Sequence, residues 1–251
     1  MFPSRLSARR YRLSSLAVIA FLVAVGISPA QGLERASHEA MSADQIVSQM
    51  QRHNQMRADD LKHYQSIRHY EVRYKGLAKL GASMVVEANY DAASGKSFRI
   101  VSQSGSGLLV DKVLKRLIET ETEAGTDQKS TALTPANYKF RLDGIDSVAG
   151  RPAYVLDVDP LVPTKLLYRG KIWVDVADFA VAKIEAAPAK NPSFWISSTA
   201  IHHQYSKTAG FWLPEQNRSE TKVRLGGTAV LTIDYGTYQV VSGSTSSGGG
   251  S

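Results

Sequence analysis

The chain has 251 residues, 43% of them apolar and 21% charged, with a formal net charge of +7. That mix belongs to a globular protein of one or two domains and excludes a low-complexity chain. There is no cysteine, which excludes a disulfide scaffold, a thiolate metal site and a thiol nucleophile, so stability has to come from an apolar core.

The first thirty residues differ from the rest. Arg5, Arg9, Arg10 and Arg12 form a basic start without an acid, and Leu16–Ile27 is an apolar run too short to span a membrane comfortably. Ser28, Pro29 and Ala30 then offer small residues at a cleavage site. The pattern predicts a secretory signal peptide over 1–30, cut near Ala30, with an uncleaved anchor as the alternative. Four of the 30 basic residues and none of the 23 acidic ones lie in 1–30, which leaves +3 for the remainder. Most of the basicity therefore belongs to the targeting segment. A nucleic-acid partner, which needs a clustered basic face, is not expected. The bacterial character of the signal predicts the periplasm.

Residues 31–42 read as a flexible lead-in. Ser42 and Gln45 form a capping box ahead of a helix over Ala43–Arg57, with Ile46, Val47 and Met50 at helical spacing. From Tyr64 the period changes to two. Tyr64, Tyr70, Val72 and Tyr74 share one face of a strand, opposite His69, Glu71 and Arg73. After a turn at Gly76–Gly81, Met84, Val86, Ala88 and Tyr90 share a face of a second strand, and Ser97–Val101 is a third. This is an antiparallel meander with one apolar face.

Gly105–Gly107 breaks the sheet. Leu108–Ile118 is a strongly amphipathic helix, and its acidic continuation, Glu119–Gln128, opposes the helix dipole and is expected to fray. Thr126–Pro135 reads as a loop. Strands resume at Asn137–Leu142 and Ala153–Val158, around a turn at Gly144 and Gly150. A further meander follows: a strand carrying Trp173, a turn at Val176–Phe179, a return ending near Glu185, then Ile201–Tyr205 and Phe211–Leu213, closing at Pro214. Thr221–Leu225 and Thr228–Tyr235 end the domain, with Ala229, Leu231, Ile233 and Tyr235 on one face. Residues 241–251 are a Gly/Ser-rich tail, read as disordered. The sum is one α+β domain over 43–240, a sandwich or barrel of short antiparallel strands.

Candidate chemistry is sparse. His202 and His203 are adjacent on a strand and point to opposite faces, so they do not share a metal, and no metal site is expected. Asp175, Asp178 and Glu185 cluster in a hairpin, where Asp178 has the usual place of a turn aspartate. Ser104–Gly107 lacks the nucleophile-elbow pattern and the glycine spacing of a dinucleotide or phosphate loop. No enzyme and no cofactor are expected. What remains is an aromatic and apolar lining: Tyr70, Tyr74, Tyr90, Trp173, Phe194, Trp195, Phe211, Trp212 and Tyr235 lie on or beside strands. Either the helices cover this face completely, giving an ordinary core, or partly, leaving a cavity.

Several of these stretches carry a resemblance. Gly170–Asp175, Asp178 and Val181–Glu185 form one element, continued by Pro188–Lys190, Pro192–Trp195, Gly210–Pro214 and Leu231–Tyr238. Asn137–Phe140 and Gly150–Val155 fit the same pattern. In order and spacing they resemble the outer-membrane lipoprotein-sorting superfamily, the LolA/LolB-like proteins, in its exported branch. The resemblance implies an unclosed antiparallel β-barrel, a half-barrel, with helices covering its mouth. It also implies a hollow that binds a lipid or lipoprotein acyl chain as a carrier or chaperone, in a monomer without chemistry of its own. The alternative is a sensor module that uses the same fold to bind an envelope membrane-protein partner. A cavity of this kind would be lined by Tyr70, Val72, Tyr74, Met84, Val86 and Tyr90, by Leu109, Val113, Leu114 and Leu117 of a movable lid helix, by Trp173, and by Leu231, Ile233 and Tyr235. The lipid-anchored receptor branch carries an N-terminal cysteine, which this chain lacks.

Overall fold

Alternation in the sequence becomes alternation of burial along the strands. The computed structural model describes residues 41–76, 79–124, 128–191, 193–224 and 226–242. The expected signal peptide, residues 31–40 of the lead-in and the tail beyond 242 lie outside them. Helix α1 spans Ala43–Asp60. It opens on the expected capping box: Ser42 Oγ accepts from the Gln45 amide at 3.2 Å, and Gln45 Oε1 accepts from the Ser42 amide at 2.7 Å. Two otherwise orphaned donors at the helix start are thereby satisfied.

Ten strands follow: β1 (Leu61–Lys75), β2 (Lys79–Asp91), β3 (Gly95–Gly105), β4 (Tyr138–Val148), β5 (Arg151–Pro160), β6 (Tyr168–Asp175), β7 (Val181–Pro188), β8 (Ile196–Thr208), β9 (Phe211–Val223) and β10 (Thr228–Ser242). They form one sheet in the order β3-β2-β1-β10-β9-β8-β7-β6-β5-β4, and every pairing is antiparallel. β3 and β4 are its edges, so the sheet is an unclosed barrel. Lys96 and Arg99 on β3, Lys139 and Arg141 on β4, and a bulge between Leu142 and Gly144 make both edges poor templates for another strand.

Directly opposed residues share a face, and the register traces that face across the sheet. Met84 faces Tyr70, which faces Ile233, and the line continues through Asn217, His203, Ile184 and Ile172 to Leu156. α1 and the helical segment 107–124 pack on this inner face. α1 buries Ile46, Val47 and Met50 against Tyr138, Leu156, Val158, Ile172, Val174 and Ile184. The segment 107–124 packs on β1, β2 and β10. Tyr64, Phe211, Leu213 and Tyr238 form a third cluster.

Four expectations are corrected. Pro214 does not end a strand: β9 runs through it, and a bulge opposite Gln204 and Tyr205 accommodates the residue that lacks an amide donor. Gly144 is not a turn, because β4 bulges there and continues to Val148, and the turn sits at Ala149 and Gly150. The acidic stretch after Ile118 is helical to Ala124. Its Glu121 has partners far away in sequence, which outweigh the unfavourable dipole. Within the expected loop 126–135, Gln128–Thr131 forms a short helix.

Candidate functional site

The 107–124 helix changes pitch twice. Gly107–Leu109 is α-helical, Val110–Leu114 is π-helical, and Lys115–Ala124 is α-helical again. A π stretch costs hydrogen-bond geometry and is frequent at functional sites. Here it contains Val110 and Leu114, the two residues buried among those of the helix whose side chains are described, the latter with no exposed surface. They meet Tyr70 and Val72 of β1, Ala82, Met84 and Val86 of β2 and Ile233 of β10 in one cluster. Leu109, Val113, Leu117, Leu231 and Tyr235 pack against it, partly buried.

Most of the residues picked from the sequence are therefore brought together, and the helix is seated on them. Three are not. Tyr90 stacks on Tyr64 at 5.2 Å in the neighbouring cluster. Tyr74 stands at the end of the β1–β2 hairpin and donates to the Gly226 carbonyl at 3.0 Å. Trp173 lies on the opposite face of the sheet with Ala153 and Val155. Its Nε1 donates to Asp146 at 3.0 Å, and Lys183 Nζ sits 4.2 Å from its ring. Ile172 and Val174, its neighbours, take the inner face instead.

The helix is fastened at both ends. At its root the Ser106 amide donates to the Gly81 carbonyl at 2.8 Å, and Gly105 adopts φ +91° directly over that strand. An open depression of about 430 Å³ lies at this root, lined by Tyr74, Gly81, Ser104 and Gly105 among others. Towards the far end, Arg68 Nη1 donates to both carboxylate oxygens of Glu121, at 3.0 and 2.9 Å, and Lys96 Nζ donates to Oε1 at 2.9 Å. Arg68 is 1% exposed. Its guanidinium lies between two rings, 5.3 Å from Phe98 and 4.8 Å from Tyr235.

Charge is maintained in this cluster against burial. Burial works to discharge Arg68, but Glu121 and Tyr70 outweigh it and raise its pKa. Burial likewise pushes Glu121 up, and Lys96 and Arg68 bring it below the ordinary glutamate value. The hydroxyls of Tyr70 and Tyr235 are pushed up by burial. A buried ion pair adds little over apolar packing, but breaking one by removing a single partner costs about 3–5 kcal/mol. The pair thus fixes where the helix sits.

The other sequence candidates lie elsewhere in the sheet. Asp175 is buried and accepts from Arg151 Nε and Nη2 at 2.6 and 2.9 Å and from the Asp178 amide at 2.8 Å. Asp178 accepts from Lys207 and from Trp212 Nε1. These bonds close the Val176–Phe179 turn, whose Phe179 has φ +47°. His202 is exposed beside Glu185, while His203 is half-buried on the inner face. Arg68 and Glu121 were not singled out by sequence reasoning. Arg68 has the parity of Tyr64, Tyr70 and Val72, so an inward arginine was readable, but its partner was not.

The chain matches no family model and no curated protein. It is similar to several solved structures. A DUF1329 family protein from Desulfovibrio piger is 14% identical, with 82% of this chain and 95% of that one covered and a TM-score of 0.40. A LolA superfamily protein from Nitrosomonas europaea is 14% identical, with 80% and 94% covered and a TM-score of 0.34. A domain assigned to outer-membrane lipoprotein sorting from Vibrio parahaemolyticus is 12% identical, with 80% and 94% covered and a TM-score of 0.39. The similar structures include members of the superfamily that the sequence resembles. The half-barrel itself is read from this chain's own sheet, whose ten strands leave β3 and β4 unpaired with each other. Among the described residues, no helix is long and apolar enough to cross a membrane.

Proposed function

We propose that the protein is a periplasmic, non-enzymatic carrier that binds the acyl chain of a lipid or lipoprotein on the inner face of the half-barrel, as a monomer. One observation carries the reading: an amphipathic helix is seated on an apolar sheet face, with a glycine at its root and a charge pair near its far end. Lifting that helix would expose Tyr70, Val72, Met84, Val86 and Ile233 as a lining. An acyl chain would replace the contacts of Val110 and Leu114. Sequestering about twelve methylenes at ~0.8 kcal/mol each supplies roughly 10 kcal/mol, enough for tight binding without chemistry.

The test is native mass spectrometry of protein purified from periplasm, with uptake of a fluorescent fatty acid. A co-purifying lipid mass, and uptake lost in Leu114→Glu, support the carrier. Protein that is uniformly empty and rejects the probe sinks it.

A second reading, contact with a membrane-embedded partner, rests on another feature. Leu161, Val162 and Leu166 after β5 and Phe194 and Trp195 before β8 are all exposed. Both loops lie at the same end of the sheet, because Tyr168 pairs with Pro188. Lys165, Lys190 and Arg224 stand in or beside this apolar rim, and the Arg224 guanidinium sits 4.9 Å from the Phe194 ring.

A further inference from the structure

The polar groups under the 107–124 helix lean towards donors: three of the unpartnered buried groups can donate, and one, Asn217 Oδ1 beside Tyr235, accepts. Two cations, Arg68 and Lys96, meet one carboxylate, Glu121. Arg68 binds that carboxylate through Nη1 alone, and its buried Nε–H has no hydrogen-bond partner among the described residues. The same holds for Ser66 Oγ, and Tyr70 Oη lies beside the Arg68 guanidinium without a well-formed hydrogen bond to it. Ser66, Arg68 and Tyr70 are alternate residues of β1 and share the inner face, exposed by 2%, 1% and 1%. Each of these unpartnered groups can donate a hydrogen bond. Leaving such a group buried and unmet costs about 1–3 kcal/mol, so a fold that keeps three in a row under a single carboxylate has more donors than it uses.

We propose that this row is the headgroup site of the carrier, that its ligand is an amphiphile with an anionic phosphate or carboxylate head, and that Glu121 stands in for that head when the site is empty. The inference rests on the carrier reading and names its ligand class. Glu121 is the only member of the cluster on the helix; Arg68 and Lys96 are on β1 and β3. When the helix lifts, Glu121 leaves with it, and Arg68 with its neighbouring donors remains at the floor of an apolar hollow, with Lys96 exposed at its rim. A buried arginine without a counter-charge is strongly unfavourable. Opening is therefore coupled to the arrival of a replacement anion, which can also satisfy Ser66 Oγ, Arg68 Nε and Tyr70 Oη. Phe98 and Tyr235, on either side of the guanidinium, shape the passage from head to chain. A neutral acyl ligand gains the apolar contacts but leaves Arg68 unpaired.

The experiment compares single-chain amphiphiles of equal length on the full protein: a lysophosphatidic acid, a fatty acid and a neutral monoacylglycerol, with inorganic phosphate alone as a fourth arm. Wild-type protein is expected to bind the two anionic amphiphiles at least about tenfold more tightly than the neutral one, the worth of one charge-assisted hydrogen bond. Arg68→Met is expected to bring that ratio close to one. Glu121→Gln, which removes the competing charge, is expected to raise affinity for the anionic amphiphiles and leave the neutral one nearly unchanged. Equal wild-type binding of charged and neutral amphiphiles overturns the headgroup site while the carrier reading stands. Binding of none of them overturns both. Inorganic phosphate that binds as tightly as the lysophosphatidic acid would make this a free-anion site and overturn the amphiphile. The wild-type comparison needs no variant, so a misfolded Arg68→Met protein does not remove the test.

Discussion

Gly105 lies so close to Gly81 that a Cβ placed on it would sit 2.3 Å from the Gly81 carbonyl oxygen. Its φ of +91° is also one that side chains with a Cβ rarely adopt. Gly105→Ala is therefore expected to destabilise the fold by about 1–3 kcal/mol and to loosen the root of the 107–124 helix. Gly107, helical and with open space around it, is the control. Gly107→Ala should be neutral or stabilising by up to about 1 kcal/mol. Urea midpoints of the two variants check this, and equal midpoints would remove the root from the account.

Leu114 and Leu108 sit on opposite sides of the same helix. Leu114 is fully buried, and Leu108 is 63% exposed. Leu114→Ala should cost about 2–5 kcal/mol through the cavity it leaves. Leu108→Ala should stay within about 0.5 kcal/mol of the parent. Chemical denaturation measures both. A Leu114→Ala cost as small as that of Leu108→Ala would mean that the helix is not docked as described.

Asp175 ties Arg151 to the Val176–Phe179 turn. Burial pushes its carboxyl up, but the Arg151 bonds and the Asp178 amide hold it below the ordinary aspartate value. A depressed carboxyl stabilises the fold above its unfolded pKa, and that contribution fades as pH falls through the lowered folded value. Asp175→Asn should cost about 2 kcal/mol at pH 7, the worth of a hydrogen bond to a charged group. It should also flatten the acid limb of the stability curve below about pH 4. Thermal unfolding across that range is the measurement, and an unchanged limb would deny the carboxylate its role.

His203 operates in a different window. Burial, helped by His202, lowers its pKa from 6.5 to about 4. The unfolded chain then takes up a proton at this site below 6.5 while the folded chain does not until about 4. Stability is accordingly full above pH 6.5 and declines as pH falls towards 4. His203→Gln should remove that part of the decline. A proton-NMR titration that places the imidazole midpoint near 6.5 would contradict the burial argument.

Legibility in the sequence followed locality. The Ser42–Gln45 box and the period-two faces of β1, β2 and β10 depend on near neighbours, and they formed as read. Trp173 was assigned to the wrong face because Ile172, Trp173 and Val174 are all apolar, and a continuous apolar run hides its own parity. Pro214 looked like an end because the bulge that admits it is set by the partner strand. The acidic stretch looked like a fraying end because Lys96 and Arg68, on other strands, are what hold Glu121. The residues that position the candidate site are thus those whose partners lie on other elements, beyond the reach of a local pattern.

The pairing of β10 with β1 has a consequence for how the molecule comes into being. β1 to β3 can form one ribbon and β4 to β9 another as they are made, but no strand earlier than β10 lies between them. The seam between the two ribbons is closed by the final strand of the domain, across the longest separation available in it. Such distant pairing is slow to form. A nascent chain therefore has a period in which both ribbons exist and the finished sheet does not, and their apolar faces are then open to whatever helps or hinders their joining.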